Sequence, residues 1–296
     1  HHLTEFKLVR SKMKSLHDDL RSGKRLFGTM VASASPEWYR AIDGQPDVDV
    51  IFIDTEHIAI DRTELARMCQ LYARMGIPTI VRIPEPDPYA ATVAMDLGAT
   101  GVVAPYIETV EQVLALRGAV KCRPLKGERL AAHLEGRPDS CGATIEPALL
   151  EFMAKKNAGK ALVINIESTV AIANLDALLA AGGDDLAAVL IGPSDLSCSL
   201  GVPGQYDHPR FKAACVEIFQ KARAAGVGAG IHTGNVTTST LEMEKFFVEN
   251  GCNLLFHASD IQLFREKLKF DLRRLKEALG EEVAEGGGEG EEMEAI

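Results

Sequence analysis

Short apolar runs rich in β-branched residues recur along the chain, with longer stretches of helical periodicity between them. Strands buried on both faces give such continuous runs, whereas half-exposed strands alternate apolar and polar residues. The pattern predicts strands at Leu26–Val31, Val50–Asp54, Thr79–Ile83, Gly101–Pro105, Ala161–Glu167, Ala187–Ile191, Val227–Ile231 and Asn253–His257.

The segments between these strands carry the signals of crossover helices. Asp61–Met75 opens with an N-cap aspartate and is followed by Gly76, and Pro209–Ala225 is followed by Gly226. Strands that alternate with helices indicate right-handed βαβ units and a parallel sheet. We therefore predict an α/β fold in which residues 1–280 form one (β/α)8 TIM barrel. An open doubly wound sheet is the alternative, but no Gly-x-Gly-x-x-Gly motif supports its dinucleotide-binding version.

Three segments depart from this repeat. Lys121–Thr144, rich in Gly, Pro and charged residues, is too long for an ordinary connection, which is typical of functional or disordered loops. Leu263–Leu279 has the pattern of an additional C-terminal amphipathic helix, which could pack on its own barrel or on a neighbouring subunit. Residues 281–296 are mostly Glu and Gly, and we expect a disordered acidic tail because they offer few large apolar side chains.

Composition limits the partners of the chain. A net charge of −10 and a pI near 5.4 argue against binding to nucleic acid or to anionic membranes. No apolar run is long enough to span a bilayer, and His1-His2-Leu3 does not resemble a secretory signal. The six cysteines form no Cys-x-x-Cys pair, so neither a zinc knuckle nor a disulfide framework is indicated. We expect a cytoplasmic protein in a reducing compartment.

Charged residues follow several of the predicted strands. In a TIM barrel the active site lies at the carboxyl ends of the strands. Asp54 and His57 occur at this point of the second strand, Arg82 of the third, Glu167 of the fifth and Asp195 of the sixth. Each alone could be a helix cap, a loop residue or half of a structural ion pair. Their convergence on one rim favours an active site.

Glu167 and Asp195 follow neighbouring strands and suit a hard divalent cation, Mg²⁺ or Mn²⁺, with Co²⁺ as a further candidate. No His or Cys flanks them in zinc-like spacing, so a chelated substrate is predicted. A Schiff-base enzyme would instead need a lysine at the carboxyl end of a strand. Lys160 precedes the fifth strand and is expected at the opposite rim, which favours the metal mechanism.

Four segments, in matching order, resemble the HpcH/HpaI aldolase family, the metal-dependent class II pyruvate aldolases related to citrate lyase β-subunit-like proteins. They are Ile53-Asp54-Thr55-Glu56-His57, Val81-Arg82, Asn165-Ile166-Glu167-Ser168 and Gly192-Pro193-Ser194-Asp195-Leu196-Ser197. The resemblance covers about Leu20 to Ala278. Its most specific part is the Gly-Pro-Ser-Asp-Leu-Ser segment that follows an Ile-Glu-Ser strand end.

The resemblance implies a lyase that cleaves a 4-hydroxy-2-oxo acid to pyruvate and an aldehyde through a metal-stabilised enolate. Glu167 and Asp195 would hold the metal ion. Arg82 would bind the keto oxygen, and His57, oriented by Asp54, would act as the general base. The family also implies a homo-oligomer, a trimer or a hexamer.

The resemblance further implies a substrate-binding side of the site. Backbone atoms of Gly192, Pro193 and Ser194 would hold the pyruvate carboxylate. Asn165 stands where a Gln is common in the family, and His232 after the seventh strand adds a titratable group at the mouth. The segment Lys126–His133 also departs from the family's Arg-Gly-x-Gly loop. These differences lie where a second substrate would bind, so the aldehyde stays open.

Other functions fit the same residues. An oxaloacetate decarboxylase or a CoA-thioester lyase would use the same metal and enolate. A barrel that has lost activity and serves as a binding or scaffolding subunit predicts loss of at least one of His57, Arg82, Glu167 and Asp195. All four are present, which favours an enzyme.

Overall fold

The computed structural model describes residues 15–233 and 241–282. Within these ranges, eight parallel strands close into a barrel in chain order, and the last strand pairs with the first. The strands are β1 Leu26–Val31, β2 Val50–Asp54, β3 Thr79–Arg82, β4 Gly101–Ala104, β5 Ala161–Asn165, β6 Leu186–Ile191, β7 Gly228–His232 and β8 Leu254–Ser259. The predicted TIM barrel is confirmed: the bounds of β1 and β2 are as predicted, and those of the other six strands differ by one or two residues at one or both ends.

Thirteen α-helices lie in the described ranges and cover the barrel. They are α1 Leu16–Ser22, α2 Pro36–Ile42, α3 Arg62–Arg74, α4 Pro88–Asp96, α5 Val110–Lys121, α6 Gly127–Leu134, α7 Pro147–Lys156, α8 Thr169–Ala173, α9 Leu175–Gly182, α10 Pro193–Ser199, α11 Pro209–Ala224, α12 Leu241–Glu249 and α13 Asp260–Leu279. The predicted caps form: Asp61 accepts a hydrogen bond from the backbone N–H of Glu64 at 2.9 Å at the start of α3.

The strands are mostly apolar because most residues on both of their faces are buried. Outward side chains such as Ile51 and Ile53 pack against helix residues such as Met68 and Tyr72. Inward side chains of β1 to β6 and of β8 form a second core inside the barrel. Each fully buried Leu, Ile, Val or Phe contributes about 1.5–3 kcal/mol relative to exposure, and this selects the continuous apolar runs seen in the sequence.

The barrel interior is layered, because alternate strands contribute the four side chains of one layer. The layers follow from the strand pairing. Passing from each inward residue to its partner on the next strand, and moving two residues towards the carboxyl end at every second strand, returns to the starting residue after one circuit of the barrel. One layer, nearest the carboxyl ends, consists of Met30, Arg82, Asn165 and His232. The layer beneath it consists of Phe52, Val103, Leu190 and Phe256. The interior thus changes from apolar to polar immediately below the mouth.

The segment 121–144 is not an irregular loop throughout, because it contains α6. This helix packs on α5 at Gly118, where an added Cβ would come within 3.1–3.3 Å of Leu130 and Leu134. The side-chain amide of Asn157 donates to the carbonyls of Lys121 and Arg123, which ties the segment to the start of β5. The described contacts therefore hold it beside α5, towards the amino ends of the strands.

The predicted C-terminal helix is present as α13 and begins three residues earlier than expected, at Asp260. Ser259 caps it by accepting from the backbone N–H of Gln262 at 3.3 Å. Residues 283–296, most of the predicted acidic tail, lie outside the described residues. Among the helices of the described ranges, none combines the length and apolar character needed to cross a bilayer.

Candidate active site

A buried ion pair joins β2 and β3 at the barrel mouth. Asp54 and Arg82 are register partners, and their side chains are 1% and 3% exposed. The Arg82 Nε–H donates to Asp54 Oδ1 at 2.8 Å, and Nη2 donates to Oδ2, so the pair is bidentate. This geometry fixes the plane of the guanidinium, because both hydrogen bonds would have to break for it to rotate.

Burial alone would raise the pKa of Asp54, but the hydrogen bonds and charge of Arg82 hold it below its ordinary value. Glu56 adds a second carboxylate to the arginine, with Oε2 3.0 Å from Arg82 Nε. Its backbone N–H donates to Asp54 Oδ1 at 3.0 Å. Arg82 is therefore held by two acidic side chains from the β2 end, and Glu56 is a site residue that the sequence interpretation did not single out.

His57 lies at the edge of this network, with its side chain 35% exposed. The described contacts contain no hydrogen bond between Asp54 and His57, contrary to the expectation that Asp54 orients this ring; Asp54 accepts from Arg82 and from the backbone N–H of Glu56. The described carboxylate nearest its ring is Glu56, with Oε2 3.7 Å from His57 Nε2. Asp54 points into the barrel and pairs across the sheet with its register partner Arg82. His57 lies three positions further along the chain, in the loop after β2.

Glu167 lies just beyond β5, buried and held at both carboxylate oxygens. Oε1 accepts from the backbone N–H of Tyr106 at 2.8 Å, and Oε2 accepts from the Asn165 side-chain amide at 2.9 Å. Gly192 leaves room for this carboxylate, since a Cβ at that position would lie 2.4 Å from Oε2. Asn165 and Gly192 therefore position Glu167.

Burial raises the pKa of Glu167 to about 7; the Tyr106 N–H opposes the rise, whereas the charges of Asp195 and Glu56 add to it. Asp195 projects from the first turn of α10 and is exposed. The two acids face the same cavity. A cation between them would relieve the repulsion that now favours protonation of Glu167.

The residues expected to hold a substrate carboxylate form the β6–α10 turn. Gly192 is the N-cap of α10, Pro193 is buried in its first turn, and Ser194 is exposed. The Ser194 hydroxyl lies 3.4 Å from the Tyr206 hydroxyl. The structure thus brings this turn next to Glu167 through Gly192.

His232 is buried in the barrel interior, in the same layer as Arg82 and Asn165. Its ring stacks on Phe52 with centroids 5.6 Å apart, and Arg82 lies 5.6 Å from the same Phe52 ring. Neither ring nitrogen has a hydrogen-bond partner among the described residues. Burial, aided by the charge of Arg82, lowers the pKa of His232 to about 3. The expected titratable group at the mouth is therefore a neutral imidazole in the barrel interior.

A cavity of about 290 Å³ opens beside the two acids and is lined by Tyr106, Ile107, Glu108, Glu167, Ser168 and Asp195. Three of these residues come from the end of β4, which the sequence interpretation passed over because no charged residue directly follows that strand. Tyr106 has a left-handed backbone (φ 53°), which is unusual for a residue other than glycine. A search of the strand ends for aromatic residues as well as charged ones would have found Tyr106.

The donor set fits a hard divalent cation. Glu167 and Asp195 supply carboxylate oxygens, and each Glu167 oxygen keeps a lone pair beyond its one hydrogen bond. The described residues bring together no group of three or more metal-binding side chains. Two protein carboxylates match Mg²⁺ or Mn²⁺, which keep positions for water and substrate, better than a closed structural zinc site.

A family model described as HpcH/HpaI aldolase/citrate lyase matches residues 27–266. The chain belongs to this family. The HpcH/HpaI membership makes the protein a carbon–carbon lyase of the aldolase type, and it agrees with the site: every strand end that carries a candidate residue lies inside the matched range.

All six cysteines lie in the described part of the chain and are free thiols.

Two curated HpcH/HpaI relatives extend over most of the chain. A 2-dehydro-3,6-dideoxy-6-sulfogluconate aldolase of Pseudomonas putida is 31% identical over 84% of this chain and 92% of its own length. A hydroxypyruvate/pyruvate aldolase of Roseobacter denitrificans is 33% identical over 75% and 83%. The crystal structure of an HpcH/HpaI aldolase from Desulfitobacterium hafniense superposes with a TM-score of 0.73 at 24% identity, covering 89% of this chain and 97% of the other, and supports the fold.

Proposed function

We propose that the protein is a metal-dependent aldolase that cleaves a 4-hydroxy-2-oxo acid to pyruvate and an aldehyde. One observation carries the proposal: a buried, fixed guanidinium (Arg82) lies within charge interaction of Glu167, and Glu167 shares a cavity with Asp195. Loss of the aldehyde leaves an enolate, whose oxygen must be stabilised by positive charge. Fixed positive groups at the point where charge develops give large catalytic effects.

Glu167 and Asp195 would hold the divalent cation, Mg²⁺ or Mn²⁺. When bound, the cation would supply positive charge to the carboxylate and keto oxygens of the 2-oxo acid. Asn165 and the Tyr106 N–H keep Glu167 in place. Burial, with the charges of Asp195 and Glu56, raises the pKa of Glu167, and a bound cation would favour its ionised form.

Arg82 would donate to the keto oxygen as it gains negative charge. Asp54 accepts from Nε and from one N–H of Nη2 of Arg82, which leaves both N–H groups of Nη1 and the second one of Nη2 as donors for a substrate. The Asp54–Arg82 pair is already ordered before the substrate binds, so binding costs little side-chain entropy. Asp54 thus acts by positioning Arg82.

His57 would move the proton between the pyruvate methyl carbon and solvent. It is half-buried and next to Glu56, so it can contact both substrate and water. An imidazole can accept a proton and return it near neutral pH, as a reversible reaction requires.

The 2-oxo acid carboxylate would bind at the turn of Gly192, Pro193 and Ser194. Asn165 and His232 would form the polar floor beneath the substrate, since both lie in the uppermost interior layer. Lys160 does not offer a Schiff-base route, because its ammonium donates to the carbonyl of Ala99 at 2.7 Å, before β4 and at the opposite end of the barrel.

Deuterium exchange into the methyl group of pyruvate, followed by NMR with Mg²⁺, Mn²⁺ or EDTA, tests the proposal. Metal-dependent exchange is expected without any aldehyde. Exchange that persists in EDTA would contradict the metal assignment. No exchange with any metal would exclude pyruvate as the donor and favour oxaloacetate or a CoA thioester.

We also propose that the protein is a homo-oligomer, a trimer or hexamer. The apolar side chains of α13 are spaced three or four residues apart and are exposed: Ile261, Phe264, Leu268, Leu272, Leu275 and Leu279. An exposed apolar face of this length favours burial against a second copy of the chain. Light scattering after size-exclusion chromatography should give a trimer or hexamer mass, and Leu268→Lys with Leu275→Lys should lower it; a monomeric parent protein would contradict the proposal.

A further inference from the structure

The connection between α10 and α11, residues 200–208, is folded onto α10 by defined hydrogen bonds. Gly201 and Gly204 have left-handed backbones, with φ of 73° and 68°, which glycine adopts without strain. Between them, the backbone N–H of Val202 donates to the carbonyl of Ser197 at 2.9 Å. The connection therefore has a fixed path beside α10.

Ser197 joins this connection to the turn at which the substrate carboxylate is expected to bind. Its side chain is fully buried. The hydroxyl donates to the carbonyl of Ser194 at 2.8 Å and accepts from the backbone N–H of Gly204 at 3.1 Å. A buried hydroxyl that both donates and accepts holds two backbone segments at one spacing. Ser197 thus fixes the position of the connection relative to Ser194.

Tyr206 forms a second link to the same turn. Its hydroxyl lies 3.4 Å from the hydroxyl of Ser194. The Tyr206 ring packs edge-on against Phe211, a fully buried residue of α11, with ring centroids 5.5 Å apart. Packing of this ring on the core keeps the phenol hydroxyl beside Ser194. Ser194 is itself exposed, so its hydroxyl is open to a ligand.

A bound carboxylate would set the direction of these hydrogen bonds. A hydroxyl can donate and accept, whereas an ionised carboxylate only accepts. Ser194 would therefore donate to the carboxylate, and its oxygen would accept from the Tyr206 hydroxyl. Hydrogen bonds arranged in such a chain polarise and strengthen one another. The separation of 3.4 Å is long for two hydroxyls, and such contacts often shorten when a ligand binds.

An additional donor matters at this turn because the charges around it are acidic. Asp195 directly follows Ser194, and it shares a cavity with Glu167. Residues 192–206 include no Lys or Arg. Neutral donors must therefore provide the contacts to an anionic substrate from this part of the chain, and the Ser194 hydroxyl is such a donor.

We propose that Tyr206 is a positioning residue for the 2-oxo acid: it orients the Ser194 hydroxyl as a donor to the substrate carboxylate, and Ser197 holds the two segments together. This inference rests on the proposed aldolase function, in which the carboxylate binds at this turn. The carboxylate is bound equally before and during the reaction. Loss of a contact to it should therefore raise KM and leave kcat nearly unchanged.

The test is methyl exchange measured over a range of pyruvate concentrations, with saturating Mn²⁺, in Tyr206→Phe, Ser194→Ala and the double variant. Tyr206→Phe should raise the KM for pyruvate about three- to tenfold, the value of one hydrogen bond, and Ser194→Ala at least as much. The double variant should match Ser194→Ala, because Tyr206 acts through Ser194. Tyr89→Phe is the matched control and should keep the parent KM, since this exposed tyrosine packs against Arg62 of α3.

Three results would overturn the proposal. A parent KM in Tyr206→Phe would show that its hydroxyl does not serve pyruvate binding. A fall in kcat at constant KM would make Tyr206 part of the chemical step. A further rise in KM when Tyr206→Phe is added to Ser194→Ala would show that the two side chains act independently. Absence of metal-dependent exchange in the parent protein would instead refute the proposed aldolase, a result that is distinguished from these three because it precedes any substitution.

Discussion

Gly192→Ala should weaken metal binding without a change in any metal-binding side chain. The backbone at Gly192 is ordinary (φ −87°), so alanine meets no conformational penalty there. The new Cβ would instead lie 2.4 Å from Oε2 of Glu167. Atoms in contact do not approach so closely, so the carboxylate must move.

The size of the effect follows from how Glu167 is held. The carboxylate is buried, and its two oxygens accept hydrogen bonds of 2.8 and 2.9 Å from Tyr106 and Asn165. A shift that restores normal contact breaks at least the bond from Asn165, and a hydrogen bond to a charged acceptor is worth about 1.5–3 kcal/mol. Changes in groups that position a metal ligand typically cost about 10–100-fold in metal affinity. We expect a loss in this range for Mn²⁺.

Isothermal titration with Mn²⁺ measures the change, and thermal unfolding in EDTA measures the cost to the fold without metal. Gly142→Ala is the control: its φ of 77° strains an alanine, but no atom lies within 4 Å of the new Cβ. It should lower stability by about 1 kcal/mol through backbone strain and leave Mn²⁺ affinity unchanged. If Gly192→Ala binds Mn²⁺ as tightly as the parent protein, Glu167 is not a metal ligand in the observed position.

Glu167→Ala should abolish metal-dependent methyl exchange while circular dichroism stays unchanged; exchange at the parent rate would contradict the metal site. Arg82→Lys keeps the charge but loses the planar fork, and exchange should fall about 100-fold; unimpaired exchange would make Arg82 structural. His57→Ala should slow exchange, and a normal rate would assign the base elsewhere. Hydrogen bonding to Glu244 raises the pKa of His257, so the stability it contributes is present at low pH and lost as pH rises through the folded-state pKa. Parent and His257→Gln melting temperatures should therefore differ more at pH 6 than at pH 9, by a small amount because the side chain is half exposed; a constant difference would refute the linkage.

The barrel could be predicted because each strand is buried on both faces, which leaves a continuous apolar run in the sequence. Strand ends were less certain, because hydrogen bonding and burial do not stop at one residue: β5 ends at Asn165, and β7 extends to His232. Helix α6 was missed because Gly and Pro flank a short amphipathic stretch whose partners, Gly118 and the start of β5, are fixed only by the folded chain.

The candidate site could be predicted as a set of strand ends but not as a set of contacts. Asp54 and Arg82 were both identified, yet their pairing follows from the β2–β3 register, which cannot be read from the sequence. Tyr106 was missed because its role depends on backbone geometry. His232 was identified as a titratable group, but whether an inward histidine is open to the mouth or buried depends on how the side chains around it pack. Only the structure shows that its nitrogens are buried.

The charges at the mouth explain why a cation and a rigid arginine belong together in this site. Asp54, Glu56 and Glu167 lie close to Arg82, and Asp195 lines the cavity beside Glu167, so the described mouth has an excess of acid. An anionic 2-oxo acid would be repelled by such a surface unless positive charge were added. Arg82 cannot supply it alone, since Asp54 and Glu56 already offset its charge. A divalent cation at Glu167 and Asp195 would make the mouth attractive to the substrate, while the Asp54 pair keeps the guanidinium in place for the enolate oxygen. The excess of acid is thus the physical reason for proposing metal dependence from this chain's own residues.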